Sequence, residues 1–254
     1  MSWEHILSED DYRLYRNNIS LLEEQVVQNF PESFRNPAIL SAIRDVPRHL
    51  FVNPAYKFLA YTDNALPTRG GLTTSAPSVI ARMILQAGVA RGDRVLEIGT
   101  GTGYQAAVLA EMGAKVCTVE IDRTAAETAN RLLVALGYKI DRRSREGLSR
   151  YLQIKRFFPL REPVDQFWGN GCEGLPQRAP FSRILVAASV PHLRRVRSLA
   201  GQLSVHGGRL VVPVGDRLEQ TLYIVERQAD RFTCHWLEGV SFQFLRLTAS
   251  ENRL

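Results

Sequence analysis

A strand that runs into a glycine-rich turn constrains this sequence more than any other feature. The segment RVLEIGTGTGYQAAVLAEMGAKVCTVEID, residues 94–122, has an apolar strand pattern, then Gly99, Gly101 and Gly103, then a helix pattern, a second strand pattern and an acidic pair. This order is typical of one half of a doubly wound nucleotide-binding sheet. The segment therefore predicts an α/β fold with a nucleotide-type cofactor bound at the turn.

The flanking sequence extends this α/β pattern. Strands are predicted at 93–98, 115–120, 164–168, 183–188 and 208–213, and helices at 103–112, 123–136 and 191–203. Continuous apolar runs such as RILVAA suit strands that are covered on both faces. Beyond residue 218 the alternation of polar and apolar residues predicts antiparallel strands at one edge of the sheet. The expected core is a doubly wound, mostly parallel sheet with antiparallel strands at its C-terminal edge.

Helices are predicted ahead of this core. One covers 10–29, a second covers 37–45 with Asn36 as its cap and Pro37 at its first position, and a third follows TTSAP and ends at Gly88. Ser75 or a neighbouring threonine is the expected cap of the third helix. We expect one domain over 1–254, in which a helical cap and substrate loop (1–90) precede the cofactor-binding core (91–254).

The residues around the turn discriminate between cofactors. A dinucleotide site needs a small residue at the third position of GxGxxG, and here that position holds the bulky Tyr104. Glu97, two residues before the first glycine, would repel a phosphate but suits a ligand that carries an ammonium and a sulfonium. S-adenosylmethionine carries both an ammonium and a sulfonium group. Glu120, at the end of the second strand, can accept hydrogen bonds from both ribose hydroxyls of either cofactor.

Composition and charge narrow the remaining classes of function. The chain contains no apolar run of about 18 residues, its N-terminus lacks the layout of a secretory signal, and its three cysteines lie far apart, so a reducing cytoplasm is expected. The five histidines have no metal-ligand spacing, and no metal site is predicted. Segment 139–163 holds eight basic and three acidic residues of a chain with net charge +6. A solvated segment, an acidic partner, a membrane surface and a nucleic acid all stay open for it.

Several sequence blocks together resemble the protein-L-isoaspartate O-methyltransferase family. They are VPRHLFV at 46–52, LPTRGGLTTSAPSVIARM at 66–83, VLEIGTGTGYQAAVLA at 95–110, GNGCEGLPQRAPF at 169–181 and GGRLVVPVG at 207–215. The resemblance implies a Rossmann-like class I methyltransferase sheet and the cofactor S-adenosylmethionine, which leaves as S-adenosylhomocysteine. It implies methyl transfer to the free carboxylate of L-isoaspartyl residues in damaged proteins or peptides, after which the ester collapses to a succinimide.

The resemblance also implies the site residues. Ser75 would donate a hydrogen bond to the substrate carboxylate, with Thr73 beside it in the same loop. The residues implied around the cofactor are Leu72, Thr74, Glu97, Gly99, Thr100, Gly101, Gly103, Glu120, Ile121, Asn170, Gly171, Cys172 and Thr248. A carboxylate is ionised at pH 7, so this chemistry needs no general base. The alternative interpretation of Ser75 is a plain helix cap, and a helix start would also present backbone N–H groups to an anion.

Three departures from the family pattern bear on substrate and cofactor. Asn170 stands where an acid usually bonds the adenine amino group, and Leu72 stands where bacterial members often carry glutamine. Segment 139–163 is an insertion, in which a helix near 144–158 is predicted to carry one apolar face. A specialised methyltransferase for aspartate in a dedicated peptide therefore stays open, as does a cofactor-binding module without turnover. Nucleic-acid methylation is less favoured, because the chain lacks an NPPY-type tetrapeptide.

Overall fold

A seven-stranded sheet forms the centre of the protein in the computed structural model, which describes residues 7–68, 72–139, 161–216 and 218–240. Its strands are Arg94–Ile98 (β3), Lys115–Glu120 (β4), Val164–Trp168 (β5), Arg183–Val186 (β6), His206–Gly215 (β7), Gln220–Gln228 (β8) and Arg231–Val240 (β9). Their order is β5-β4-β3-β6-β7-β8-β9. The pairs from β5 to β7 are parallel, whereas β8 and β9 pair antiparallel at the edge. The predicted fold class is confirmed.

The direction of the sheet's winding reverses at β3. The chain passes from β3 to β4 and β5 on one side, and then returns to β6 and β7 on the other side of β3. In open sheets of this kind, ligands bind beyond the carboxyl ends of the strands at this reversal. The glycine turn directly follows β3, so the fold places the predicted cofactor residues at the edge where a ligand is expected.

Six α-helices and several 3-10 turns surround the sheet in the described ranges. The helices are Glu9–Asn29 (α1), Pro37–Asp45 (α2), Pro77–Ala87 (α3), Tyr104–Glu111 (α4), Arg123–Ala135 (α5) and Arg197–Gly201 (α6). The 3-10 turns are Pro31–Arg35, Arg48–Leu50, Pro54–Leu59, Pro176–Arg178 and Leu193–Val196. Asn36 caps α2 as predicted, since its side chain accepts the amide hydrogen of Ala38. Gly88 ends α3 in the left-handed conformation.

The two faces of the sheet are covered by different hydrophobic clusters. One cluster joins α1, α2, α3 and α4 to the inward residues of the strands, among them Val95, Val116 and Leu185. The other cluster contains Leu96, Ile184 and Leu210 and packs against Leu199 and Leu203 of the opposite layer. Neighbouring strand residues thus point into different cores, which explains the continuous apolar runs. Among the described residues, no helix is long and apolar enough to span a membrane.

Some predicted elements differ from the structure. The expected helix 191–203 is a 3-10 turn, Leu193–Val196, followed by the five-residue α6. Strand β6 ends at Val186 rather than at 188, and β7 covers 206–215. The stretch before α3, which carried no regular pattern, contains a two-stranded ribbon of Leu66–Pro67 (β1) and Thr73–Thr74 (β2). The helix predicted near 144–158 lies outside the described residues.

The C-terminal end of the basic insertion is buried rather than solvated. Arg161 has no exposed surface and binds the Glu111 carboxylate through Nε at 3.0 Å and also through Nη2. Its Nη1 donates to the carbonyl oxygen of Leu136 at 3.0 Å, and its guanidinium carbon lies 4.0 Å from the centre of the Tyr138 ring. The inclusion of Arg161 in a solvated charged segment was therefore wrong, because this arginine fixes the insertion to the end of α4.

Candidate active site

The glycine turn after β3 has a backbone that side chains would strain. Gly99, Gly101 and Gly103 have φ angles of 93°, 52° and 87°, in the left-handed region that favours glycine. A Cβ on Gly103 would also lie 3.3 Å from the side chain of Leu133. The amide of Gly99 donates to the carbonyl oxygen of Val119 at 2.8 Å, which anchors the turn to the end of β4.

The Glu120 carboxylate lies against this turn. Its Oε2 accepts the amide hydrogen of Gly101 at 2.8 Å, and its Oε1 accepts that of Asp122 at 3.0 Å. A carboxylate offers about four lone-pair directions, so each oxygen can accept a further hydrogen bond. The two backbone donors fix the Glu120 carboxylate beside the turn.

Glu97 is buried below the turn and lacks a full set of hydrogen bonds. Its Oε2 accepts from the Thr118 hydroxyl at 2.5 Å, and that hydroxyl in turn lies 2.7 Å from Oγ1 of Thr100 in the turn. Its Oε1 has no hydrogen-bond partner in the described part of the chain. Burial, with a contribution from the Glu120 charge, raises the pKa of Glu97 to about 8. A nearby cation would favour the ionised form, since opposite charge lowers a carboxyl pKa.

The predicted substrate loop presents a free hydroxyl. Ser75 is half-buried, Thr73 is exposed and Thr74 is buried. The residue at the N-cap of α3 is Ala76, so the predicted cap at Ser75 or a neighbouring threonine was wrong. The Ser75 hydroxyl has no hydrogen-bond partner within the described ranges.

The start of α3 leaves few backbone donors for an anion, contrary to the expectation. Pro77 has no N–H group, the amide of Ser78 donates to Oδ1 of Asp63 at 2.7 Å, and the amide of Val79 donates to the carbonyl oxygen of Ala76 at 3.1 Å. Asp63, which lies far away in sequence, thus caps the helix in place of a local side chain. The amides of Ser78 and Val79 are therefore already engaged and not available to an anion at this helix start.

The loop after β5 lies beside the end of β4. The amide of Gly169 donates to the carbonyl oxygen of Glu120 at 2.9 Å, and the indole Nε1 of Trp168 donates to that of Ile121 at 3.1 Å. Asn170 accepts the amide hydrogen of Cys172 at 3.0 Å and donates to Glu173 at 3.2 Å. These bonds bring the predicted adenine residues next to Glu120. The exposed Trp168 lies beside these residues in the structure, although the sequence analysis did not include it among the site residues.

A cavity of about 630 Å³ lies beside the glycine turn, with Gly101 and Thr102 in its wall. This volume lies within the range of small-molecule sites, roughly 300–1,000 Å³. Its walls include the loop from Leu50 to Pro54, part of the VPRHLFV block and the residues after it, together with much of α5 and two predicted site residues, Leu72 and Gly101. The sequence analysis did not predict that the loop 50–54 and α5 line a cavity, although the VPRHLFV block at 46–52 already supported the family resemblance.

Several of the predicted residues are linked at the carboxyl ends of β3, β4 and β5, whereas Thr248 lies outside the described residues. The Thr118 hydroxyl links Glu97 to Thr100, and direct hydrogen bonds join Gly101 with Glu120 and Asn170 with Cys172. No group of three or more potential metal ligands occurs in the described ranges. In this arrangement one oxygen of Glu97 has no hydrogen-bond partner among the described residues, and the Glu120 carboxylate is held beside Gly101.

Comparisons with known proteins show the family that this chain is similar to. The sequence profile of the family described as Protein-L-isoaspartate(D-aspartate) O-methyltransferase (PCMT) matches residues 20–251. A protein-L-isoaspartate O-methyltransferase of Gloeobacter violaceus is 42% identical over 189 residues, which are 74% of this chain and 80% of that protein. One of Methanoregula boonei is 38% identical over 208 residues, covering 82% and 84% of the two chains.

Two solved structures share the fold. One, titled protein-L-isoaspartate O-methyltransferase, has a TM-score of 0.66 and 26% identity, and the match covers 87% of this chain and 65% of that chain. The other is a putative protein-L-isoaspartate O-methyltransferase from Plasmodium falciparum in complex with S-adenosyl-L-homocysteine. It has a TM-score of 0.67 at 18% identity and covers 90% and 98% of the two chains, so it supports the fold alone.

Proposed function

The chain belongs to the protein-L-isoaspartate(D-aspartate) O-methyltransferase family, and we propose that Ser75 binds the substrate carboxylate while the glycine turn and Glu120 hold the methyl donor. The protein transfers a methyl group from S-adenosylmethionine to the free carboxylate of L-isoaspartyl residues. The ester formed in this way leads to a succinimide. The observation that supports the proposed roles best is the unengaged Ser75 hydroxyl at the start of α3.

The residues present fit S-adenosylmethionine. The unpartnered Oε1 of Glu97 is a buried acceptor that a cationic ligand group would satisfy, and Glu120 has lone pairs left for two ribose hydroxyls. Asn170, Gly171 and Cys172 would lie along the adenine on one side, with Ile121 on the other. When bound, the cofactor supplies a methyl group on a good leaving group, the sulfonium.

The chain itself contributes positioning and desolvation. An isoaspartyl carboxylate is ionised at pH 7, so no side chain needs to remove a proton before attack. A hydrogen bond from Ser75 to one carboxylate oxygen would hold the other oxygen toward the methyl group, and Thr73 would contact the same substrate group. Holding two reactants in line accounts for much of the rate gain in bimolecular transfers.

The test is a methyl-transfer assay with labelled cofactor on three otherwise identical peptides that contain isoaspartyl, D-aspartyl or normal aspartyl. We expect base-labile methyl ester on the isoaspartyl peptide. Ester on the aspartyl peptide alone would instead assign the protein to dedicated aspartyl modification, and no ester on any peptide would contradict the proposed activity.

The proposed role of Ser75 is tested by Ser75→Ala. A hydrogen bond to a charged group contributes about 1.5–3 kcal/mol, so kcat/KM should fall about tenfold to hundredfold. Ser78→Ala is the matched control, because it removes a hydroxyl from the same helix start and keeps the backbone amide that Asp63 accepts. Unchanged turnover in Ser75→Ala would remove Ser75 from the mechanism.

Two further expectations become part of the proposal. We propose a cytoplasmic location, which the three free cysteines, Cys117, Cys172 and Cys234, support. We also propose that segment 139–163 binds an acidic partner; of its residues, 140–160 lie outside the described ranges, and Arg161 is occupied by Glu111. If charge drives this contact, binding of the protein to an acidic peptide should be lost at moderate salt.

A further inference from the structure

Arg48 is a buried arginine whose donors are spread over the segments around the substrate loop. Its Nη1 donates to the carbonyl oxygens of Ala60 at 2.8 Å and Thr62 at 3.1 Å. Its Nη2 donates to those of Asn64 at 2.8 Å and Ser75 at 3.2 Å. The side chain has no exposed surface. One guanidinium therefore fixes the backbone of Ser75 to the segment 60–64.

The same guanidinium also contacts the cofactor side of the site. Its central carbon lies 5.5 Å from the centre of the Tyr104 ring, a distance at which a cation is attracted to the ring face. Tyr104 is the first residue of α4 and directly follows Gly103 of the glycine turn. Arg48 thus connects Ser75, on the substrate side, with the residue that ends the cofactor turn.

Asp63 completes this connection from the middle of the segment that Arg48 holds. Its Oδ1 accepts the amide of Ser78 in the first turn of α3, and its Oδ2 accepts from Asn29 at 2.7 Å. The segment 60–64 is therefore bound to Arg48 through its carbonyl oxygens and to α3 through the Asp63 carboxylate. In the chain, Ser75 lies between segment 60–64, which Arg48 holds, and Ser78, which Asp63 holds.

The chemistry of Arg48 indicates a geometric role rather than a contribution to stability alone. In the described ranges no carboxylate forms an ion pair with Arg48, and its Nε has no hydrogen-bond partner. A buried charge of this kind costs several kcal/mol to desolvate, and an apolar side chain of similar size often packs at lower cost. Only a planar, forked group can bind several carbonyl oxygens at set angles.

We propose that Arg48 is a positioning residue that sets the Ser75 hydroxyl relative to the methyl donor on the glycine turn. It acts through the carbonyl oxygen of Ser75 and the ring of Tyr104, and it does not touch the substrate. The proposal rests on the role proposed for Ser75. A misplacement of about 1 Å in a transfer site can cost roughly a hundredfold in rate, so small shifts of this contact are measurable.

The test is a double-mutant cycle of Arg48→Lys and Ser75→Ala, measured with the isoaspartyl peptide. Lysine keeps the positive charge but cannot reproduce the fork. Arg48→Lys should lower kcat at least about tenfold and leave the KM for S-adenosylmethionine within about threefold. In the Ser75→Ala background, the same substitution should lower kcat less than about threefold, because its effect passes through Ser75.

Arg161→Met is the matched control for loss of a buried arginine. Arg161 binds Glu111, at the opposite end of α4 from Tyr104, so its replacement should lower stability while kcat per folded molecule changes less than about threefold. Folded fractions come from denaturant unfolding under assay conditions. Should Arg48→Lys not fold, Asp63→Asn takes its place in the cycle and carries the same expected result.

The possible outcomes separate this proposal from the proposed function. Equal losses from Arg48→Lys with and without Ser75 would overturn the positioning role, as would full kcat in Arg48→Lys. An unchanged Ser75→Ala would contradict the role of Ser75 and, with it, this inference. Absence of methyl ester from the unmodified protein would contradict the activity itself.

Discussion

Glu97→Gln should remove a pH dependence of stability that the buried carboxyl imposes. The side chain is fully buried at the end of β3, and one of its oxygens has no partner in the described part of the chain. Burial raises the pKa of Glu97 from 4.5 to about 8. Glutamine keeps the shape and the acceptor for Thr118 but has no charge to bury.

The sign and size of the effect follow from proton binding. Between pH 4.5 and about 8 the folded protein holds a proton on Glu97 that the unfolded chain has released, so stability falls as pH rises through this window. Each pH unit costs about 1.4 kcal/mol, and the whole interval costs on the order of 5 kcal/mol. Below pH 4.5 the carboxyl is protonated in both states and contributes no such penalty.

The assay is urea unfolding of both proteins, without cofactor, at pH values from 5 to 8.5. The free energy of unfolding of the Gln variant minus that of the parent should increase with pH, by several kcal/mol between pH 5 and pH 8. Taking the difference cancels the titration of all other groups. Parallel profiles for the two proteins would refute the reasoning, because they would mean that Glu97 titrates alike in the folded and unfolded states.

Three more predictions concern the turn, the cap and the adenine loop. Gly103→Ala should destabilise the protein by about 1–3 kcal/mol, because the residue has a φ of 87° and a crowded Cβ position. Gly92→Ala is the control, since its φ is 85° but its Cβ position is open, and it should destabilise the protein less in thermal unfolding. Burial lowers the pKa of His49 to about 4, so stability should fall as pH drops from 6.5 toward 4, and His49→Gln should flatten this slope in urea unfolding. Asn170→Ala should weaken cofactor binding about tenfold in calorimetry, through loss of about 1.4 kcal/mol of hydrogen bonding. Glu173→Gln alters only the group to which Asn170 donates, so its cofactor affinity should stay within twofold of the parent.

Sequence patterns predicted the elements whose signals are local. The strand, glycine turn and helix from β3 to α4 follow from apolar periodicity and from left-handed glycines, and α2 follows from Asn36 and Pro37. The doubly wound order follows from the alternation of such elements. The local patterns also led to Glu97 and Glu120, both of which lie at the turn.

The parts that sequence did not predict depend on partners distant in the chain. The cap of α3 comes from Asp63, 15 positions before Ser78, and the four carbonyl oxygens around Arg48 come from up to 27 positions away. Arg161 is separated from Glu111 by 50 positions. From the sequence alone, charged residues such as these are expected at the surface, because no neighbouring residue indicates that they are buried.

Non-local capping leaves the Ser75 hydroxyl out of the hydrogen bonds at the start of α3. A serine that caps its own helix turns its hydroxyl oxygen toward the helix amides, which fixes its direction. Here the Asp63 carboxylate accepts the Ser78 amide hydrogen, so the Ser75 hydroxyl is not engaged by that amide. That carboxylate also brings a negative charge close to the place where a substrate carboxylate would bind. Burial lowers the pKa of the Arg48 guanidinium, whereas the Tyr104 and Asp63 side chains oppose this shift. Asp63 therefore both caps α3 and interacts electrostatically with the buried Arg48, without forming an ion pair with it.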